Sequence, residues 1–353
     1  MNAEKSKDED ARAARKAGIL RVATRSVAFG VFLLLVAGAL VTSTGSGLAV
    51  PDWPLSYGKV MPPMVGGILY EHGHRLVAAA VSTLVGLELG ALLFFLEGKK
   101  AVKVLAAGAF GAILLQALLG GLTVILLLPP AVSSAHAALA EIVFALTAVV
   151  ALMCSNTWND LTARPATTHE AANAAPRPSS LPLEEISPSS SHVSKLEQAF
   201  RATIFATAAI YIQIVLGAVM RHTGAGLAIP DFPTAFGGLF PSTDELRLHG
   251  VGLHLAHRVG AVVVLALVLA AVRALARLSA VNSVFAGFAA AWTGLVAIQI
   301  LLGALSIWSR KAPPLTVAHL AGGALCWVTG VLATACVGAC RIRSNAVSSR
   351  SRA

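Results

Sequence analysis

The sequence predicts an all-α integral membrane protein with eight transmembrane helices, arranged as two tandem four-helix bundles related by a pseudo-two-fold axis along the membrane normal. Three observations predict this fold class. Of the 353 residues, 56% are hydrophobic and 12% are charged, which is about half the charged share of an average soluble domain. Apolar stretches of roughly 20 residues recur along the chain, long enough to cross a hydrocarbon core of about 30 Å. The sequence of the first half also repeats in the second half.

Eight apolar stretches are the predicted membrane spans. They lie at residues 27–46, 72–96, 104–128, 131–153, 202–221, 251–272, 284–308 and 315–339. In chain order, the predicted parts are a cytoplasmic arm (1–26), a four-span half (27–153) and a cytoplasmic linker rich in Pro and Ser (154–199). A second four-span half (200–340) and a cytoplasmic tail (341–353) follow.

The internal repeat consists of four matches in the same order. The loop from Thr44 to Pro54 matches the loop from Thr223 to Pro233, 179 residues later. Three further matches lie 183 residues apart, and they join His74-Arg75 to His257-Arg258, Gln116 to Gln299, and His136 to His319. Because each half holds an even number of spans, both halves insert in the same orientation, and this predicts an axis along the membrane normal.

The basic net charge of +10 follows the membrane topology rather than a nucleic-acid partner. With the N-terminus inside, 20 Lys and Arg residues lie on the inner side and seven on the outer side, so the positive-inside bias predicts that both termini are cytoplasmic. The arm also contains Glu4, Asp8, Glu9 and Asp10. Because a mitochondrial transit peptide avoids acidic residues, we expect a bacterial plasma membrane.

Four histidines form a repeated pair within the predicted spans. His74 and His136 are 62 residues apart, and so are His257 and His319. The second and fourth spans of each half run in the same direction, so the two histidines of a pair lie within one helical turn of the same depth, at about 1.5 Å per residue. Two imidazoles at equal depth can bind an iron from opposite sides, whereas zinc usually takes three or four ligands. The pairs predict two haem sites near the outer face.

Charged residues accompany each pair. Arg75 and Arg258 follow a histidine near the outer surface, where a guanidinium either binds a haem propionate or anchors the helix at the membrane interface. Glu71 takes the position that His254 takes in the second half, three residues before the histidine and on the same helix face as His74. A carboxylate at that place accepts protons or simply faces interfacial water. The difference between the halves indicates that one haem is substrate and the other cofactor.

Two further features of the repeat predict structure around these sites. Gln116 and Gln299 each precede a glycine by four residues, which predicts hydrogen bonds between closely packed helices. The repeated outer loop, with its glycines and prolines, is interpreted either as a lid over each pocket or as a plain turn.

In combination, these residues resemble the haem A synthase family over roughly residues 27–340. The residues that carry the resemblance are the Thr44–Pro54 loop, Glu71, His74, Arg75, His136, His257, Arg258 and His319. The resemblance implies oxidation of the C8 methyl group of haem O to a formyl group, with water as the oxygen source, giving haem A for terminal oxidases. It implies that the first half binds haem O between His74 and His136, with Glu71 catalytic. The second half would bind haem b between His257 and His319 and pass electrons away.

The sequence departs from part of that family in its outer loops. Many bacterial members carry a cysteine pair in the first outer loop, where this chain has Val50 and Ser56, so the electron acceptor is left open. The expected partners are haem O and the lipid bilayer, while haem O synthase, oxidase assembly factors and a second copy of the chain remain open. Two other functions compete. A quinol-linked di-haem b electron carrier accounts for the histidines but not for Glu71, and a transporter accounts for the repeat alone.

Overall fold

The structure is a computed structural model that describes residues 2–163, 190–280 and 282–350. Its described part contains nine α-helices, and eight of them are long and apolar enough to cross a membrane. The nine helices are α1 (Asn2–Ser43), α2 (Gly67–Phe95), α3 (Lys100–Ile125), α4 (Pro130–Met153), α5 (Asn156–Thr162), α6 (Ser190–His222), α7 (Val251–Ala276), α8 (Ser283–Trp308) and α9 (Pro313–Arg350). The prediction of an all-α protein with eight spanning helices is therefore confirmed.

Several helices extend beyond the spans predicted from hydropathy. Helix α1 begins at Asn2 within the predicted arm, α6 begins at Ser190 within the predicted linker, and α9 continues to Arg350 through the predicted tail. Hydropathy detects only the part of a helix that lies in lipid, whereas backbone hydrogen bonding continues as long as helix-forming residues follow. The Pro- and Ser-rich core of the predicted linker, residues 164–189, lies outside the described residues.

The helices of each half pack in the same order. In the first half, α1 and α3 each contact both α2 and α4, and in the second half α6 and α8 each contact both α7 and α9. The halves meet through their first and last helices, because α1 contacts α9 and α4 contacts both α6 and α9. The repeat in the sequence is thus matched by a repeat in the packing, which places corresponding residues in corresponding surroundings.

Small residues let the helices approach closely in the second half. Trp292 of α8 is fully buried in the apolar core of this half. A Cβ atom added to Gly330 of α9 would lie 2.7 Å from Cζ2 of Trp292 and against the hydroxyl of Thr207 in α6. Gly330 therefore allows α6, α8 and α9 to meet at one point, the use of small residues that is typical of membrane helix packing.

We expect Gly330→Val to lower the thermal stability of the detergent-solubilised protein, since overpacking a filled contact costs about 1–3 kcal/mol. The midpoint of thermal unfolding, followed by tryptophan fluorescence, measures the effect. Gly287→Val is the matched control, because Gly287 lies within α8 and an added Cβ would meet no atom within 4 Å. Equal losses in the two variants would contradict this account of the contact.

Candidate functional site

Each of the four predicted histidines packs its ring against a glycine on a neighbouring helix. A Cβ atom added to the glycine would lie 3.0 to 3.2 Å from the Cε1 atom of the ring in every case. The contacts join His74 to Gly38 of α1, His136 to Gly120 of α3, His257 to Gly217 of α6, and His319 to Gly303 of α8. Because a larger residue would displace the imidazole, these glycines determine where each ring can lie. Sequence analysis missed Gly38 and Gly217, although the 179-residue offset of the repeat relates them.

The histidines of each pair lie at nearly the same number of residues from the starts of their helices. His74 lies seven residues after the first residue of α2, and His136 lies six residues after the first residue of α4. In the second half, His257 and His319 each lie six residues after the first residue of α7 and α9. A difference of one residue corresponds to about 1.5 Å along the helix axis, which is less than one turn.

Glutamine side chains from neighbouring helices hold the turns that carry three of these histidines. Gln116 of α3 donates to the carbonyl oxygen of His136 at 2.8 Å, and Gln299 of α8 donates to that of His319 at 2.7 Å. These contacts confirm the predicted hydrogen bonds between helices. Gln213 of α6, which sequence analysis missed, donates to the carbonyl oxygen of His257 at 2.7 Å. The corresponding residue of the first half is Leu34, so the carbonyl of His74 has no such donor.

Several imidazole nitrogens are buried without a partner. The Nδ1 atoms of His74, His136 and His319 contact no hydrogen-bonding group among the described residues. Because a buried polar atom without a partner is costly, these nitrogens mark places where a further group completes the site. Either ring nitrogen of a neutral imidazole can bind a metal. In the described part of the chain, no three or more His, Cys, Asp or Glu residues gather into a metal site.

Glu71 and His254 accept equivalent hydrogen bonds from the two repeated loops, residues 44–66 and 223–250. The backbone N–H of Val50 donates to Oε2 of Glu71 at 2.7 Å, and the backbone N–H of Ile229 donates to Nδ1 of His254 at 3.1 Å. Both acceptors are buried. Glu71 also forms a salt bridge with Arg75 at 2.7 Å, so both of its carboxylate oxygens have partners. The carboxylate and the imidazole thus each accept a backbone hydrogen bond from the loop of their own half. Reasoning from the sequence did not anticipate this shared role.

The two arginines beside the histidines also hold the loops. Arg75 donates through Nη1 to the carbonyl oxygens of Asp52 and Leu55, at 2.8 Å in both cases. Arg258 donates through Nη1 to the carbonyl oxygen of Thr234 at 2.7 Å, and through Nη2 to carbonyls earlier in the same loop. The Nε atom of Arg258 is buried and has no acceptor among the described residues. One guanidinium donor in the second half therefore remains available.

An aspartate organises the turn within each repeated loop. The carboxylate of Asp52 accepts the backbone N–H groups of Tyr57 and Gly58 at 2.7 and 2.8 Å, and these bonds lower its pKa, that from Gly58 most. The carboxylate of Asp231 accepts from the Thr234 hydroxyl at 2.6 Å and from the N–H groups of the corresponding turn. The Thr234 hydroxyl and these amides lower the pKa of Asp231 to about 2. Both turns are therefore held by an ionised carboxylate.

The first loop reaches from α2 across to α3. The indole ring of Trp53 lies against Gly121, where an added Cβ would be 2.7 Å from Cδ2 and Cε2. Gly121 follows Gly120, which contacts His136, so the loop joins the helix of one histidine to the helix that supports the other. In the second loop, Phe232 packs edge-on against Trp308 of α8, with ring centroids 6.2 Å apart. These contacts favour the interpretation of the loops as lids.

The comparisons with known proteins show which family the chain resembles over most of its length. Residues 22–331 match the COX15-CtaA family, described as cytochrome oxidase assembly protein. The chain belongs to this family. All four histidines lie within the matched region, so the family resemblance inferred from the sequence is confirmed.

Three relatives illustrate the similarity, and each is named "Heme A synthase". The relative from Symbiobacterium thermophilum is 31% identical over 281 residues, which cover 77% of this chain and 80% of the relative. The relative from Bacillus pumilus is 28% identical over 306 residues, covering 85% and 89% of the two chains. The relative from Shouchella clausii is 29% identical over 244 residues, covering 68% and 70%. The similarity thus extends over most of each protein.

We expect Asp231→Ala to loosen the second repeated loop, because the Thr234 hydroxyl and the backbone donors lose their acceptor. Hydrogen–deuterium exchange of residues 229–238, corrected for the intrinsic exchange rate, measures the loss of protection. Asp244→Ala is the control, since the Asp244 side chain has no hydrogen bond among the described residues. In the unchanged protein, the pKa of Asp231 is lowered from 3.8 to about 2, so its stabilisation is complete above about pH 4 and disappears as the pH falls toward 2. A loop equally protected in Asp231→Ala would contradict this role.

Proposed function

We propose that the protein is a haem A synthase-type oxidoreductase, which converts the C8 methyl group of haem O to a formyl group and so provides haem A for terminal oxidases. The observation that carries this proposal is the pair of matching histidine pockets that differ at one loop-holding position, Glu71 in one half and His254 in the other. Two identical electron-transfer sites would have no need of that difference. Membership of the cytochrome oxidase assembly family and the names of the relatives support the same conclusion.

The first half is proposed as the substrate site, with haem O held between His74 and His136. The second half is proposed to hold haem b between His257 and His319. The residues fit such groups, because the paired histidines hold matching positions in their helices, glycines let the rings pack against neighbouring helices, and three ring nitrogens are buried without partners among the described residues. Haem b, when bound, supplies an iron that accepts and passes on electrons.

In this proposal, the oxygen of the formyl group comes from water, and the reaction releases protons and electrons. Glu71 is the carboxylate placed to accept a proton, one helical turn from His74. The Val50 amide and the Arg75 guanidinium hold it there, since each bonds to one of its oxygens. A haem held by His257 and His319 would supply the iron that accepts the electrons. The first loop, anchored by Trp53 on α3, covers the pocket and limits the entry of bulk water.

Arg75 and Arg258 are proposed to lie at the propionate edge of each haem. In the second half, the buried and unpartnered Nε atom of Arg258 supports this assignment, because a carboxylate there would give it an acceptor. In both halves, the Nη atoms tie the loop to the helix that carries the first histidine. The same guanidinium would thus join the lid to the bound haem.

The finer architecture is part of this proposal. We place two tandem four-helix bundles, residues 27–153 and 200–340, around a pseudo-two-fold axis along the membrane normal. The matching packing order in each half, and an interface made from the first and last helices of both, support that arrangement. The charge bias supports cytoplasmic termini and haem sites near the outer face, in a bacterial plasma membrane.

One observation favours a second function, a quinol-linked di-haem b electron carrier. Both carboxylate oxygens of Glu71 are already engaged, by the loop and by Arg75, so Glu71 could serve structure alone. The identity of the bound haems and the behaviour of Glu71 variants separate the two functions.

We expect His257→Ala or His319→Ala to remove haem b from the purified protein, while His74→Ala or His136→Ala removes haem O and haem A. Each change deletes one of two ligands to a single iron. Pyridine haemochrome spectra and mass analysis of the extracted haem, from cells that also express haem O synthase, give the measurement. His249→Ala is the control, because His249 is exposed in an outer loop. Recovery of haem b alone from the unchanged protein would favour the carrier, and a colourless protein would contradict both functions.

We expect Glu71→His to lower haem A formation by about 100-fold or more, the usual contribution of a general acid or base. The chain itself recommends this substitution, since His254 accepts the corresponding loop amide in the second half. Glu71→His should therefore keep the loop and the bound haem O while removing the carboxylate, and the haem A yield per bound haem O is the measurement. Glu97→His is the control and should leave haem A formation intact, because Glu97 is exposed in the turn between α2 and α3. Wild-type haem A formation by Glu71→His would limit Glu71 to anchoring the loop.

A further inference from the structure

Arg221, at the outer end of α6, is a half-buried cation without a carboxylate partner among the described residues. Its Nη2 atom donates to the carbonyl oxygen of Ala39 at 3.0 Å and to the hydroxyl of Ser43 at 2.7 Å. Both acceptors belong to α1, so the side chain extends from the second half onto the first. The Nε and Nη1 donors have no acceptor within the part of the chain that the structure describes.

The guanidinium lies beside the proposed substrate pocket. Ala39, whose carbonyl accepts from Arg221, directly follows Gly38, the glycine against which the ring of His74 packs. The end of α6 is therefore close to the segment of α1 that supports His74.

Among the described residues, no carboxylate compensates the positive charge of Arg221. A partly buried guanidinium is costly unless it is paired and hydrogen-bonded, and the carbonyl end of α6 supplies only a partial negative charge. Neutral acceptors occupy Nη2 alone. Guanidinium groups bind carboxylates through parallel hydrogen bonds, so the free donors suit a planar anion. By contrast, Arg75 already uses both Nη atoms on its loop and on Glu71.

Only the second half has an arginine at this position of its first helix. Arg221 and His222 correspond to Thr42 and Ser43 in the first half, by the 179-residue offset of the repeat. The second half therefore places a cation against the first half, whereas the corresponding residues of the first half carry only hydroxyl groups. An asymmetry of this kind is expected if the two pockets bind different ligands.

We propose that Arg221 binds a propionate carboxylate of the haem substrate held in the first half, so that a residue of the second half completes the substrate pocket. The inference rests on the proposed function. A phosphate group of an anionic lipid has similar chemistry, and the experiment separates the two sources.

The test uses the full-length protein, purified from cells that also express haem O synthase. Haem O plus haem A, haem b and phosphatidylglycerol are quantified per protein after extensive detergent washing. Arg221→Gln removes the charge, and Arg221→Lys keeps it. Arg247→Gln is the matched control, because Arg247 is an exposed cation in an outer loop. Haem b in the second half reports whether each variant is folded.

We expect Arg221→Gln to reduce retained haem O plus haem A about tenfold or more, the effect of losing a charge-assisted hydrogen bond. Haem b and phosphatidylglycerol should be unchanged, Arg221→Lys should recover part of the loss, and Arg247→Gln should match the wild type. Three results would overturn the inference while leaving the proposed function intact: unchanged haem O retention, selective loss of haem b, or loss of phosphatidylglycerol alone. A wild-type protein that holds neither haem O nor haem A would overturn both.

Discussion

Polar groups that are buried between packed helices or beneath a loop have no access to water, and this constraint determines the contacts around the paired histidines. Buried backbone groups and charged side chains there must find partners within the protein itself. Gln116, Gln213 and Gln299 therefore donate to carbonyl oxygens of histidine-bearing turns, and Arg75 and Arg258 donate to loop carbonyls. The few buried polar atoms without partners stand out against this background. They include ring nitrogens of three of the paired histidines.

The two halves share one arrangement of helices, and a few positions in the sequence distinguish them. At the loop amide, a carboxylate stands in one half and an imidazole in the other, and both accept the same hydrogen bond. The loops can therefore keep their conformation while the chemistry beside the histidine changes. The halves also differ at the interface between them, where Arg221 of α6 corresponds to the small neutral residue Thr42 of α1. The differences lie beside the proposed haem sites, and the glycine supports remain common to both halves.

Much of the fold and part of the site followed from the sequence. Eight apolar stretches of membrane-spanning length have few alternatives to helices, because each backbone group must be satisfied within its own segment. The repeat identified both histidine pairs and the inter-helix glutamines Gln116 and Gln299. Gln213 escaped notice because its counterpart is Leu34, so the comparison of halves offered no match there. The loop-holding contacts of Glu71 and Arg75 were missed because a loop's path is not encoded in hydropathy.

Hydrophobicity, periodicity and repetition are local properties, and they determined the number of spanning helices, the repeat of the halves and the residue types placed near each pocket. The tertiary structure decided which partner each polar side chain meets. Glu71 accepts from a residue 21 positions earlier, and Arg221 donates to a residue 178 positions away. Such contacts depend on the angles and distances between packed helices, which no short stretch of sequence specifies. The residue types near the histidines can therefore be read from the sequence, whereas the contacts between these residues are known only from the assembled helices.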